Sequence, residues 1–284
     1  MPELAEVAYY AKQWDAGKRL PVAEVCAHEK SRVFRRCDLP ALISGLKGSA
    51  LIRSHSHGKQ MLFEFSGGHW LTLHLGMTGE LSTKPHPFSP TKHDHLVLHT
   101  QMIDLIFTDS RQFGSIQYHC GDKPPTSWLK LPTQIMDADF TLDRLRAFLL
   151  RHSRQPLKAL LLDQQFFPGI GNWMADEIMW QMRLHPLTTA ATLNEKHLCA
   201  LHRVLRKICA AALKTIGDDW SDPPKSWLFR HRWVKGRACP RCGTSLMRDA
   251  VQSRTACWCP VCQMTAKDDG RFNFLRPDSK AVCH

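Results

Sequence analysis

Leu4, Val7, Ala8, Ala11 and Trp14 recur at the spacing of one helical face, and Gly17 follows as a stop. The chain therefore opens on a predicted amphipathic helix. Apolar-rich runs at 22–27, 51–54, 61–65, 70–75, 95–99 and 102–107 come next, parted by turn residues such as Ser66-Gly67-Gly68; Leu71, Leu73 and Leu75 alternate with Thr72 and His74. Several short period-two segments predict a β-sandwich. Beyond Pro124, Pro125 and Pro132 the period lengthens again. Thr141 is placed to cap a helix bearing Leu142, Leu145, Phe148 and Leu149, and Pro156 to open one bearing Leu157, Leu160 and Leu161. A longer helix is predicted over about 193–216, with Leu198, Leu201, Leu205, Ile208 and Ala212 on one side and Gly217 at its end. The fold class is α+β and multidomain: a β-sandwich flanked by helices over 1–131, a helical domain over 132–230, and a small terminal module over 231–284 with a polar tail.

At 284 residues, 43% hydrophobic and 23% charged, the chain is long enough for these parts to bury real cores. No apolar run approaches the roughly 20 residues that span a bilayer, and the N-terminus lacks the order of a signal peptide, so a cytoplasmic, nucleoid-associated location and no membrane partner are expected. The net charge of +12 is unevenly spread. Lys225, Arg230, Arg232, Lys235, Arg237, Arg241, Arg248 and Arg254 face only Asp249 in the same stretch, which suits a polyanion. Of the 11 cysteines, Cys239-Pro-Arg-Cys242 and Cys259-Pro-Val-Cys262 form two knuckles with 16 residues between them. That spacing predicts one structural Zn2+ closing a hairpin too small for its own core. A redox dithiol pair fits less well, and Cys257 is a spare thiol near enough to compete as a ligand. Arg254 would project from this hairpin toward a phosphate or a groove.

Candidate chemistry starts at the N-terminus. With the initiator Met removed, Pro2 offers a secondary amine beside the carboxyl of Glu3, at the positive end of the first helix. Such an amine attacking a sugar's anomeric carbon yields an iminium, an electron sink for later elimination. Pro followed by Glu is equally ordinary helix-start chemistry. In 167–178, Gly169 and Gly171 permit a tight turn, and Asn172 either offers its amide to a phosphate or merely caps the helix. Lys59 sits in a hairpin-like loop, where a lysine can meet a phosphate. Met77, Arg111 and Phe113 lie on loops after strands, the kinds of side chain that fill the gap left by a flipped base.

Together, the Pro-Glu start, the Asp109-Ser-Arg-Gln-Phe-Gly loop, the Gly169-Ile-Gly-Asn-Trp-Met-Ala-Asp-Glu element and the four-cysteine finger resemble the formamidopyrimidine-DNA glycosylase and endonuclease VIII family of base-excision repair enzymes. The resemblance implies a helix-two-turns-helix domain between sandwich and zinc finger, binding to double-stranded DNA containing damaged bases or abasic sites, and a glycosylase and lyase activity joined through an imine at Pro2; a monomer is the default expectation. It implies Glu3 as acid and base, Glu6 and Glu177 as supporting carboxylates, Lys59, Asn172 and Arg254 as phosphate grips, and Met77, Arg111 and Phe113 as the wedge. Ala5 stands where a second Pro is common, and Gln112 where Arg is frequent. The segment 217–230 lacks the usual glycine-tyrosine capping loop, and its Leu228-Phe229-Arg230 is more reminiscent of the endonuclease VIII branch. Oxidised purines are the expected lesions, with β,δ-elimination following base release. Oxidised pyrimidines are the near alternative, and a non-catalytic damaged-DNA-binding protein is the rival of another class. A zinc-dependent nuclease is disfavoured because the expected ligands are all structural thiolates.

Overall fold

The computed structural model describes residues 1–251 and 254–264, and the expected C-terminal tail lies outside them. The chain divides into two compact units, Met1–Pro132 with Leu213–Ser221, and Thr133–Ala212 with Asp222–His284.

In the first unit, helix α1 (Leu4–Gln13) runs into a 3-10 turn ending at Gly17. Trp14 is fully buried there, and its indole N–H donates to the Ile106 carbonyl at 3.2 Å. The strands are β1 (Glu24–Ala27), β2 (Leu51–His57), β3 (Gln60–Phe65), β4 (His69–His74), β5 (Gly79–Pro85), β6 (Asp94–His99), β7 (Ile103–Asp109) and β8 (Ser115–Cys120). They form two four-stranded antiparallel sheets, ordered β1-β6-β7-β5 and β2-β3-β4-β8. Alternation decides which residues meet between the sheets. Leu96, Leu98, Leu105 and Phe107 of one sheet share a core with Met61, Phe63, Leu71 and Leu73 of the other, closed by Val7 and Ala11 of α1 and by Leu42 and Leu46 of α2 (Leu39–Leu46). Each of the Val, Leu, Met and Phe side chains contributes about 1.5–3 kcal/mol of burial. The expected sandwich is present, with β5, β8 and α2 as elements that apolar periodicity did not show. A short α3 (Thr126–Leu129) follows β8.

The second unit holds α4 (Leu142–Arg151), α5 (Leu157–Leu161), α6 (Asn172–Gln181) and α7 (Glu195–Lys214), whose last residues pass into the first unit. Thr141 caps α4 through Arg144 N, and Pro156 precedes α5, as expected. Phe140, Phe148, Phe166 and Phe167 pack together, with Phe148 and Phe166 stacked at 3.8 Å. The long predicted helix splits at its end into α7 and the single turn α8 (Ile216–Asp219). Within the first unit Trp220, after α8, rests on Tyr9 of α1 at 4.6 Å. Strands β9 (Met247–Val251) and β10 (Arg254–Trp258) form a hairpin in the same unit as α4 to α6. Among the described residues no helix is long and apolar enough to cross a membrane.

Candidate active site and metal centre

Pro2 precedes α1, and Glu3 is its N-cap in extended conformation. Glu3 and Glu6 form a capping box: the Glu3 side chain accepts from the Glu6 backbone, while Glu3 N donates to Glu6 Oε2 at 3.2 Å. The helix-start reading and the catalytic reading thus coexist in the same residues. A cap that served the helix alone could stay in water. Glu3 is instead 3% exposed. Lys59 follows Gly58 in the two-residue turn between β2 and β3; the glycine has φ +57°, and the lysine is buried. Its charge contributes, after burial, to holding the His74 ring below the ordinary histidine range.

Met77 and Phe113 stand on two different loops, 43% and 47% exposed. One carboxylate shapes both. Asp109, fully buried at the end of β7, accepts from Thr78 Oγ1 at 2.6 Å and from Gly114 N at 2.7 Å. A Cβ on Gly76 would lie 2.4 Å from the Phe113 carbonyl carbon, so only glycine allows this approach. Arg111 lies over the Phe113 ring at 4.7 Å. Gln112, at φ +53°, accepts from Arg32 N at 2.9 Å and so turns the loop inward between its two exposed neighbours. The first unit therefore gathers Met77, Arg111 and Phe113 on one scaffold.

In the second unit Gly171, not Asn172, is the N-cap of α6, which removes the reading of Asn172 as a simple cap. Asn172 Nδ2 donates to the Thr255 carbonyl at 2.8 Å, next to exposed Arg254 at the start of β10. Lys158 Nζ donates to the same carbonyl at 3.0 Å. Sequence reasoning missed what lies beneath. Asp176 pairs with Lys158, takes Arg232 Nη2 at 2.6 Å, and accepts from Cys257 N at 3.2 Å. All three charged side chains are buried. This network ties α5, α6 and the approach to the finger to β10. The only forewarning was a pair of acids, Asp176 and Glu177, amid a largely apolar helix.

Glu177, fully buried, accepts from Gln181 Nε2 at 2.8 Å and from Phe229 N at 3.1 Å, holding the turn 228–230 singled out above. Burial pushes its carboxyl up to about 7 against the lowering effect of those hydrogen bonds. The folded protein keeps this proton to about pH 7, whereas an unfolded chain releases it near 4.5. Stability gained from Glu177 is complete below that lower value and declines as pH rises to neutrality, by up to about 3 kcal/mol. Urea unfolding at pH 4.5 to 8 should show this decline in the wild type and a flatter profile in Glu177→Gln. Equal slopes would remove Glu177 as its source.

The four-cysteine cluster is assembled. Ligand sulfurs of Cys239, Cys242, Cys259 and Cys262 all lie within 4.8 Å of one another, with Cys242 and Cys259 at 3.5 Å. Tetrahedral ligation at about 2.3 Å per sulfur sets neighbouring sulfurs at similar distances, so the residues fit a metal ion. The donor set agrees, four thiols being the donors a soft-to-borderline ion such as Zn2+ takes; burial pushes the Cys259 thiol up, while hydrogen bonding with Thr244 brings that of Cys242 down. Trp180 Nε1 donates to Cys239 Sγ at 3.4 Å. Cys257 is outside the cluster and faces Asp176 and Arg232, so it does not compete as a ligand. The basic stretch is also less free than its charge suggests. Arg232 is buried, Arg241 stacks on Trp180 at 3.9 Å, and Arg237 and Arg248 donate to backbone carbonyls.

Residues 1–116 match the model of the formamidopyrimidine-DNA glycosylase N-terminal domain, and 132–222 that of the H2TH domain of the same enzymes. The formamidopyrimidine-DNA glycosylase of Roseiflexus sp. (strain RS-1) is 33% identical over 93% of this chain and 100% of its own length. The chain belongs to the formamidopyrimidine-DNA glycosylase family. Another member, from Exiguobacterium sibiricum, is 30% identical over 94% of this chain and 100% of its own. Among solved structures of the family, wild-type Lactococcus lactis Fpg with DNA containing an oxidised pyrimidine aligns at TM-score 0.82 and 27% identity, over 93% of this chain and 100% of that one. The same enzyme with abasic-site DNA aligns at TM-score 0.81 and 26% identity, with equal coverage.

Proposed function

We propose that this protein is a bifunctional DNA glycosylase and abasic-site lyase that removes oxidised purines, 8-oxoguanine and formamidopyrimidines, from double-stranded DNA. The observation that carries the reading is Pro2 and Glu3 together at the head of α1, the carboxyl buried, in a chain that matches family members over nearly its whole length. Freed of Met1, the Pro2 nitrogen attacks C1′ of the damaged nucleoside and the bond from C1′ to the base breaks, the base leaving with its bonding pair and a proton. Glu3 protonates the sugar ring oxygen, so the ring opens to an iminium. That cation acidifies the C2′ proton; its removal expels the 3′ phosphate, a second elimination expels the 5′ phosphate, and water releases the amine. Lys59, Asn172 and Arg254 grip phosphates, while Met77, Arg111 and Phe113 fill the gap left by the flipped nucleotide. Glu6 supports Glu3, and Glu177 supports the turn at 228–230.

One Zn2+ held by Cys239, Cys242, Cys259 and Cys262 would fix the hairpin that carries Arg254, a structural role with no open ligand position. The protein acts as a monomer in the nucleoid. Oxidised pyrimidines are a second reading, favoured by Leu228-Phe229-Arg230 and by the oxidised pyrimidine in the Lactococcus complex. Single-turnover excision from matched duplexes, one with 8-oxoguanine and one with an oxidised pyrimidine, decides between them. At least about 10-fold faster purine release is expected, equivalent to about 1.4 kcal/mol in the barrier. Faster pyrimidine release would overturn the first reading.

A further inference from the structure

On the face of the β1-β6-β7-β5 sheet turned away from the shared core, three side chains converge that the repair chemistry does not use. His99 ends β6, Asp104 lies near the start of β7, and His86 follows β5 directly. His86 Nδ1 hydrogen-bonds both Asp104 oxygens, Oδ1 at 3.1 Å and Oδ2 at 3.2 Å, and His99 Nδ1 is 3.0 Å from Oδ2. One ligand atom from each lies within 4.8 Å of the others.

A proton shared between imidazole and carboxylate requires the N–H axis to point at the oxygen. His86 satisfies this and His99 does not: the His99 side chain is 10% exposed, and its Nδ1 has no aligned hydrogen-bond partner despite its closeness to Oδ2. Two ligands of one metal behave differently, because both aim their lone pairs at a third point while remaining close together. Separations near 3 Å are what ligands about 2.0–2.2 Å from one ion would show. Asp104 is fixed as a ligating carboxylate should be: fully buried, it accepts from Phe88 N at 2.8 Å and Thr100 N at 3.2 Å. The His86 side chain, 37% exposed, leaves a path for the ion and room for water.

We propose that His86, His99 and Asp104 form a second metal site, for a borderline divalent transition ion such as Zn2+, held by two imidazole nitrogens and one carboxylate. The ion would clip the 86–88 segment to the sheet. Strands β5 and β7 pair from Gly79↔Asp109 to Pro85↔Ile103. At about 3.4 Å per residue the site is some 20 Å from the Met77 and Arg111 loops, so it takes no part in the repair reaction.

Protein whose four-cysteine cluster is filled should be dialysed against Zn2+, and its metal content measured by emission spectroscopy. Wild type is expected to hold two ions per chain, with a higher thermal midpoint than in metal-free buffer. His86→Ala removes an exposed ligand without disturbing the core, and should hold one ion, with the second at least about 10-fold weaker. His28→Ala, a histidine outside the cluster, should still hold two. Saturation of the wild type at one ion, or two ions retained by His86→Ala, overturns the proposal. Base excision should be equal in all three proteins, so a failure of this site leaves the repair function untouched, and the reverse also holds.

Discussion

Chain that keeps Met1 ahead of Pro2 is expected to lose borohydride trapping on abasic-site duplex, and to excise damaged bases at least about 1,000-fold more slowly than chain that begins at Pro2. An acylated proline nitrogen has no lone pair to give, whereas the rest of the protein is unchanged. Glu3 would remain the N-cap of α1, its backbone N–H still bonded to Glu6. Binding to the same duplex should therefore survive, and gel shift at matched salt is the control. Pro2→Gly keeps a primary amine and should trap weakly. If wild type beginning at Pro2 binds this DNA tightly and traps nothing, imine chemistry is ruled out and a damage-binding protein takes its place.

The second large effect concerns Asp176. Its replacement by Ala strands Lys158 and Arg232, both buried, without a counter-charge. Removing one partner from a buried ion network typically destabilises by about 3–5 kcal/mol, far more than the network adds over a well-packed apolar substitute. Urea unfolding of Asp176→Ala should show a loss of that size, and the double variant Asp176→Leu, Lys158→Met should recover part of it. A loss under about 1 kcal/mol would mean that water reaches these charges. DNA binding should weaken as well, because Lys158 and Asn172 hold the same Thr255 carbonyl and the hairpin carrying Arg254 hangs from it.

Local signals were legible and long-range ones were not. The first helix, the cap at Thr141 and the paired cysteine knuckles each announce themselves within a few residues, through spacing or a single turn-forming group. The strands β5 and β8 are different: in β8 only Ile116 is buried, so almost no apolar pattern marks it. Helix α2 is only eight residues long and carries Gly45, a poor helix former, near its end. It is held by its Asp38 cap and by packing instead. The candidate site divides likewise. Its tips could be named from motifs, but the groups that aim them could not. Asp109 acts through residues on another loop, and Asp176 reaches Arg232 across 56 positions. Charge misleads for a related reason: the basic stretch at 225–254 reads as one surface, yet Arg232 is buried in an ion network and Arg241 stacks on Trp180.

The close approach at Gly76 has an evolutionary meaning. Because its Cα rests against the backbone of Phe113, the loops that carry Met77 and Phe113 form one body that no side chain at 76 can pry apart. A lineage that exchanges residues 77, 111 or 113 would then swap tips on an unchanged mount. Laboratory selection over libraries of 76, 77, 111 and 113 should vary the tips while position 76 stays glycine.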